Sequence, residues 1–263
     1  VADKPYEYLA LELSSFQIEW SDLAKYEAIA VLNIAQDHID WHGSYSEYAK
    51  SKLDLLSRSV TAILNGDDSA VVEGSQHWQG RKVFYTLQTP KPGEIGLVED
   101  LLVDRAFVAD PMEAAMFCEL NEVQPTAPHS VSNALAAAGL ARAIGIDNEV
   151  IRSAIKKFRP GRHRIELVLE HDGIRWIDDS KATNPHAAQA SVMSELSVVW
   201  IAGGLAKGAE MTDLIAQVGS RLRAAVLIGT DRELIAQELQ SKFPNVAIVR
   251  VDPKPGHDRS STE

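Results

Sequence analysis

Short apolar runs alternate with amphipathic stretches along most of the chain. Residues 8–13 (YLALEL), 28–33 (AIAVLN) and 60–65 (VTAILN) are apolar runs bounded by polar residues, the pattern of strands buried on both faces. Between the last two, Tyr45, Tyr48, Ala49, Lys52, Leu53 and Leu56 recur at helical spacing on one face. The spacing predicts a helix over 45–56 and, with its flanking strands, a β-α-β unit. Gly66-Asp67-Asp68 is a turn. Residues 83–85, 95–98, 101–103 and 106–108 read as short strands of a small β region. Ala- and Leu-rich residues 131–144 form a predicted helix ending at Gly145, and a second follows over 148–158. It stops before Arg159-Pro160-Gly161, the best domain boundary in the chain.

The pattern then restarts. Residues 164–170 and 174–178 are predicted to pair as a hairpin across Asp172-Gly173. Helix 185–196, strand 198–202, helix 212–222, strand 224–228, helix 232–242 and strand 246–251 follow. Strands alternating with helices predict an α/β protein whose domain 161–263 is a Rossmann-like parallel sheet, preceded by a domain over 1–160.

Composition narrows the class. With 45% hydrophobic and 24% charged residues, the 263-residue chain is expected to be soluble and globular. Its net charge of -11 argues against nucleic acid or an anionic membrane as a main partner, while leaving room for a small anion in a local basic pocket. Cys118 is the only cysteine, which excludes an intrachain disulfide framework and a cysteine-rich zinc site, and fits a reducing cytoplasm. No apolar run is long enough to span a bilayer.

Several residues could carry chemistry. Glu12 ends a predicted strand, where α/β sheets bind ligands and a carboxylate can hold Mg²⁺; a simple capping role fits equally well. Asp37 and His38 follow the next strand and could bind a metal or move protons, although such pairs also occur in solvated turns. Lys52 lies on the inward stripe of its helix and Lys50 does not. An inward ammonium needs a partner, a chemical change such as carbamylation, or a route to the surface along its aliphatic stem. His129 and Asn133 share a helix face, and an amide there could read an adenine edge. The segment Asp179-Ser180-Lys181-Ala182-Thr183-Asn184-Pro185 is the richest. Asn184 and Pro185 are a good N-cap and first helical residue, which puts Lys181 and Thr183 at a helix N-terminus suited to anions, with Asp179 beside them for a ribose hydroxyl. Gly203-Gly204-Leu205-Ala206-Lys207-Gly208 follows a second strand, expected at the same sheet edge, and could close over a carboxylate or phosphate. The sequence contains no GxxxxGK[ST] phosphate loop and no GxSxG elbow.

In order, the stretches LELSSFQIE (11–19), NIAQDHIDWHG (33–43), YAKSKL (48–53), HSVSNALAA (129–137), GRHRIE (161–166), WIDDSKATNP (176–185) and IAGGLAKG (201–208) resemble the Mur ligases. DDSKATN points to their D-glutamate-adding branch. The resemblance implies a partial P-loop-type central ATPase domain over 1–160 and a Rossmann-like C-terminal domain over 161–263. It implies an ATP-dependent carboxylate–amine ligase of peptidoglycan synthesis, cytoplasmic and monomeric, using ATP and Mg²⁺. Its substrates would be UDP-N-acetylmuramoyl-L-alanine and D-glutamate, joined through an acyl phosphate.

Carried across, Glu12 and His38 would serve magnesium and Lys52 would be carbamylated. Ser14, Gln17 and His38 would contact the nucleotide sugar. Asn133, Arg164 and Asp179 would hold ATP, while Asp37, Lys181, Thr183 and Lys207 would surround D-glutamate. Lys52, His38 and Lys181 are the implied catalytic groups. Ser130 and Gln36 depart from the pattern, which has Asn and often Glu there. The resemblance also places a UDP-binding domain and the phosphate loop before Val1, and a last glutamate-pocket segment after Glu263. These residues alone are therefore expected to show little or no ligase activity. A ligase for another amino acid, or a non-catalytic nucleotide-binding module, are the competing readings; the module would leave Lys52 pointing to solvent.

Overall fold

The computed structural model describes residues 6–110, 112–204 and 211–252. The chain packs as two units, Val1–Arg159 and Pro160–Glu263.

Unit 1 is built around a six-stranded mixed sheet. A short helix α1 (Ser15–Glu19) precedes strand β1 (Tyr26–Val31). Helices α2 (Ile39–His42) and α3 (Tyr45–Leu53) lead to β2 (Ser59–Asn65), which runs parallel to β1 with Ala30 opposite Ile63. This is the β-α-β unit that the periodicity predicts. The helix is shorter than 45–56, because a 3₁₀ turn, Asp54–Arg58, tightens its end. Helix α4 (Ser69–Ser75) and strand β3 (Arg81–Tyr85) continue the parallel part. Strands β4 (Ile95–Val98), β5 (Leu101–Asp104) and β6 (Ala115–Glu119) complete the order β1-β2-β3-β4-β5-β6, with the last two pairings antiparallel.

Alternate residues of β2 enter two cores. Ile63 joins Tyr85, Ile95, Leu102, Phe117 and Leu135 on one face. Ala62 and Leu64 join Ile29, Val31, Leu56 and Val71 on the other. Burial on both faces is why this strand reads as an unbroken apolar run. Helix α5 (Pro128–Ala143) packs on β1 to β4, and α6 (Asn148–Lys157) packs beside it.

Two predicted strands of unit 1 are corrected. Residues 8–13 are not a strand; Tyr8, Leu9 and Leu11 are exposed, and β1 is the outermost strand among the described residues. An apolar run needs a neighbouring strand to take its backbone groups, and this one has none there. Glu12 is accordingly exposed on an irregular segment rather than at a strand end. Residues 106–108 form bends, because the buried carboxylate of Asp104 accepts the backbone N–H of Ala106 and of Phe107, both at 2.8 Å. The sequence reading missed β6.

Unit 2 begins with a hairpin of β7 (Glu166–His171) and β8 (Ile174–Asp178). Asp172 and Gly173 take φ of +52° and +73°, the double left-handed geometry that a two-residue hairpin turn requires. Helix α7 (Pro185–Met193), β9 (Val198–Gly203), α8 (Thr212–Val218), β10 (Leu222–Ile228), α9 (Arg232–Lys242) and β11 (Ala247–Arg250) follow. The sheet β11-β10-β9 is parallel throughout, around a core of Ile215, Val218, Ala225, Leu227, Ala236 and Leu239. The hairpin is a separate two-stranded sheet, so the loops after β8 and β9 do not share one sheet edge, contrary to the sequence expectation. It also starts at Glu166, leaving Arg164 in a turn, because His163 and Ile165 on either side adopt left-handed φ of +65° and +50°.

Candidate functional site

In unit 1 the candidate groups gather where the parallel strands end. Lys52 projects inward from α3, and its ammonium donates to the Asn33 carbonyl oxygen at 2.7 Å and to the Tyr48 hydroxyl at 3.2 Å. It also lies 5.2 Å from the centre of the Tyr48 ring. Burial lowers the Lys52 pKa, against the opposing pull of Asp68 and Asp37. Tyr48, one helical turn earlier, is pushed up to about 12, first by burial and then by the charge of Asp37. Lys50, by contrast, is on the surface facing Glu47. The Asp68 carboxylate caps α4 through the Val71 amide and accepts the Ile34 amide at 3.2 Å, which pins the segment after β1 to the segment after β2.

Asp37 accepts the His38 amide at 2.9 Å, and its carboxylate stands 3.8 Å from His38 Nδ1. His38 begins α2 with φ of +51° and packs on the Phe16 ring at 4.8 Å. Phe16 also meets Trp41 edge-on at 4.7 Å, while His42 Nε2 lies 2.9 Å from the Ser15 hydroxyl. These contacts hold α1 on α2, and the Ser51 hydroxyl of α3 donates to the Ser15 carbonyl at 3.1 Å. Arg58 holds α1 from the other end by donating to the Ile18 and Ser21 carbonyls. At the start of α1, Ser14 and Gln17 bond each other: Ser14 Oγ accepts the Gln17 amide at 3.3 Å, and Gln17 Oε1 accepts the Ser14 amide at 2.9 Å. The structure therefore brings Asp37, His38 and Lys52 to one end of the sheet, with Ser14 and Gln17 on the adjoining helix. Asn133 is exposed on the first turns of α5, and the His129 ring lies 3.2 Å from the Ser130 hydroxyl.

In unit 2, Asn184 caps α7 by accepting the Ala187 amide at 2.9 Å, and Pro185 opens the helix. Lys181 and Thr183 are exposed in the turn before it. The Asp179 carboxylate accepts the Ile165 amide at 3.3 Å, and the Lys181 amide donates to the His163 carbonyl at 3.2 Å. Arg164 and Asp179 thus belong to two turns stitched together. At the end of β9, Gly203 has φ of +145°, and a Cβ there would fall 1.8 Å from the Ile228 carbonyl oxygen, so no other residue fits. Lys207 lies outside the described residues.

The chain matches the Mur ligase middle domain over residues 1–141 and the Mur ligase glutamate ligase domain over residues 163–254. The chain belongs to the Mur ligase family. Among curated Mur ligases, it is 48% identical over 257 residues to the UDP-N-acetylmuramoylalanine--D-glutamate ligase of Thermobifida fusca, a match covering 95% of this chain and 55% of that protein. It is 46% identical over 256 residues to the enzyme of the same name from Streptomyces coelicolor, covering 95% of this chain and 54% of that one. The chain thus spans about half the length of the curated relatives it matches. A pseudomurein peptide ligase type C from Methanothermus fervidus shares the fold, with a TM-score of 0.63 at 15% identity over 86% of this chain and 52% of that one.

Sequence reasoning missed several groups of this Mur ligase chain. Tyr48 is four residues before Lys52 on the same face, a spacing that could have named it as the lysine's partner. Asp68 carried the signal of an N-cap before a helix. Nothing local could have paired His163 with Asp178, whose side chains meet at 2.7 Å. No helix among the described residues is long and apolar enough to cross a membrane.

Proposed function

We propose that this chain is the ATP- and glutamate-handling portion of a cytoplasmic, monomeric enzyme that joins D-glutamate to UDP-N-acetylmuramoyl-L-alanine. The observation that carries the reading is the inward Lys52. Its amine sits at the end of a parallel sheet on a main-chain oxygen, with burial lowering its pKa. The relatives' names and the DDSKATN segment support the choice of amino acid.

Residues 1–160 form the central ATP-binding domain and 161–263 the Rossmann-like C-terminal domain. Asn133, Arg164 and Asp179 hold ATP, with Arg164 near the phosphates. Ser14, Gln17 and His38 contact the nucleotide sugar. Asp37, Lys181, Thr183 and Lys207 surround D-glutamate. The alanyl carboxylate attacks the γ-phosphorus of ATP, giving an acyl phosphate and ADP. The D-glutamate amine then attacks the acyl carbon, and phosphate leaves with the former carboxylate oxygen. Lys181, an exposed cation in the turn before α7, offsets the negative charge that builds up on the oxygens.

Magnesium fits the donors present. It keeps several waters and takes only one or two protein ligands beside phosphate oxygens; the carboxylate of Glu12 would hold it directly, and His38 would act beside it. An unmodified Lys52 is a cation and no ligand; carbamylated, it would offer oxygens, and a lowered pKa favours the neutral amine, whose nitrogen attacks the carbon of carbon dioxide and releases a proton to solvent. When bound, magnesium would neutralise phosphate charge.

The test is amino-acid-dependent ADP release by the natural gene product carrying this sequence, given ATP and UDP-N-acetylmuramoyl-L-alanine. D-glutamate is expected to drive release well above L-glutamate, L-alanine or L-lysine. Preference for another amino acid would overturn the substrate assignment, and release by none would overturn the ligase reading.

A further inference from the structure

His163, Glu166 and Asp178 form a half-buried cluster that the reaction above does not use, their donor atoms all within 4.8 Å of one another. The spacing would suit a metal ion, yet the protein itself already engages each group. His163 Nδ1 meets Asp178 Oδ2 at 2.7 Å, and the other Asp178 oxygen accepts the Ser180 amide at 2.9 Å. Glu166 accepts the His163 amide at 2.8 Å and faces Arg162 at 3.6 Å. The His163 carbonyl accepts the Lys181 amide at 3.2 Å. His163 therefore bonds through its ring, its amide and its carbonyl, and two of these three bonds cross from one turn to the other.

Arg164 stands between two residues in the left-handed region, His163 and Ile165. Such backbone persists only where the surroundings over-determine it. Here they do: the His163–Asp178 pair on one side of Arg164 and the Ile165–Asp179 bond on the other hold the turn to the last residue of β8 and the one after it.

We propose that His163 is a positioning residue, whose bond to Asp178 fixes the Arg164 turn against the Asp179–Lys181 turn and so aims Arg164 at the ATP phosphates. The proposal rests on the ATP role given to Arg164 above. His163 touches no reacting atom.

The experiment compares His163→Ala and His163→Asn in the natural gene product. Asparagine tolerates left-handed φ and offers an amide donor toward Asp178. His163→Ala is expected to raise KM for ATP about tenfold, with kcat at saturating ATP and KM for D-glutamate changed less than about twofold. His163→Asn should recover most of that loss. An unchanged KM for ATP in the alanine variant, a uniform fall in every parameter, or no recovery with asparagine would each overturn the proposal. If the wild type shows no D-glutamate-dependent ADP release, the functional reading fails by itself. ATP affinity measured by calorimetry then decides for His163: the same tenfold weakening in the alanine variant supports the proposal, and equal affinity overturns it. Stoichiometric Zn²⁺ or Mn²⁺ binding lost in His163→Ala would also overturn it, in favour of a metal site.

Discussion

Lys52 Nζ lies 2.7 Å from the carbonyl oxygen of Asn33, so the last turn of α3 is tied to the residues that follow β1. A lysine bonded there is neither a surface charge nor a packing residue. Its amine stands beside Tyr48, with Asp37 and Asp68 close enough to act on its charge.

Lys52→Arg is predicted to abolish the carbamate while keeping a cation. Ligase turnover by the natural gene product should fall about 10- to 100-fold, the usual cost of losing a group that orients a metal site. Circular dichroism should show the same helix and strand content as the wild type. Turnover within twofold of wild type would remove Lys52 from the mechanism.

Two residues of α5 should separate stability from binding. Leu135 is fully buried among Ile63, Tyr85 and Phe117, whereas Asn133 is exposed on the same helix. Leu135→Ala is predicted to cost about 2–5 kcal/mol, by lost burial and a residual cavity, read from urea unfolding of this chain. Asn133→Ala should leave the unfolding midpoint unchanged and raise KM for ATP. The reverse pattern would contradict both the packing and the ATP role.

Acid should loosen the hairpin end of unit 2. The His163 bond, reinforced by the Ser180 amide, holds the Asp178 carboxyl down to about 2 from its ordinary 3.8. A depressed carboxyl pKa stabilises the fold above the unfolded value and loses that effect as pH falls through the folded value. The melting-temperature gap between wild type and Asp178→Asn should therefore close between about pH 4 and pH 2. A gap that widens on acidification would contradict the pairing.

Regular periodicity was the most legible feature of this chain. The inward stripe of α3 placed Lys52 correctly because a 3.6-residue period ties direction to position. Asp172-Gly173 announced its hairpin, since few residue pairs accept two left-handed conformations in succession. Residues 8–13 misled because an apolar run reads alike whether or not a partner strand lies beside it. The stretch 106–108 misled because a side chain, Asp104, took the amides that a strand would have offered. In the candidate site, the residues on regular elements were readable, but contacts between turns were not. His163 and Asp178 are fifteen residues apart, and their meeting depends on left-handed backbone at His163 and Ile165, neither of which is a glycine.

A ligase that works through an acyl phosphate moves one oxygen of the alanyl carboxylate into the released phosphate, and that atom can be followed. UDP-N-acetylmuramoyl-L-alanine carrying ¹⁸O in its alanyl carboxylate would be turned over by the natural gene product with ATP and D-glutamate, and the released phosphate examined by mass spectrometry. Each phosphate is expected to carry one labelled oxygen, delivered when the amine displaces phosphate from the acyl carbon. Phosphate released without label, while the amide product accumulates, would contradict the acyl phosphate.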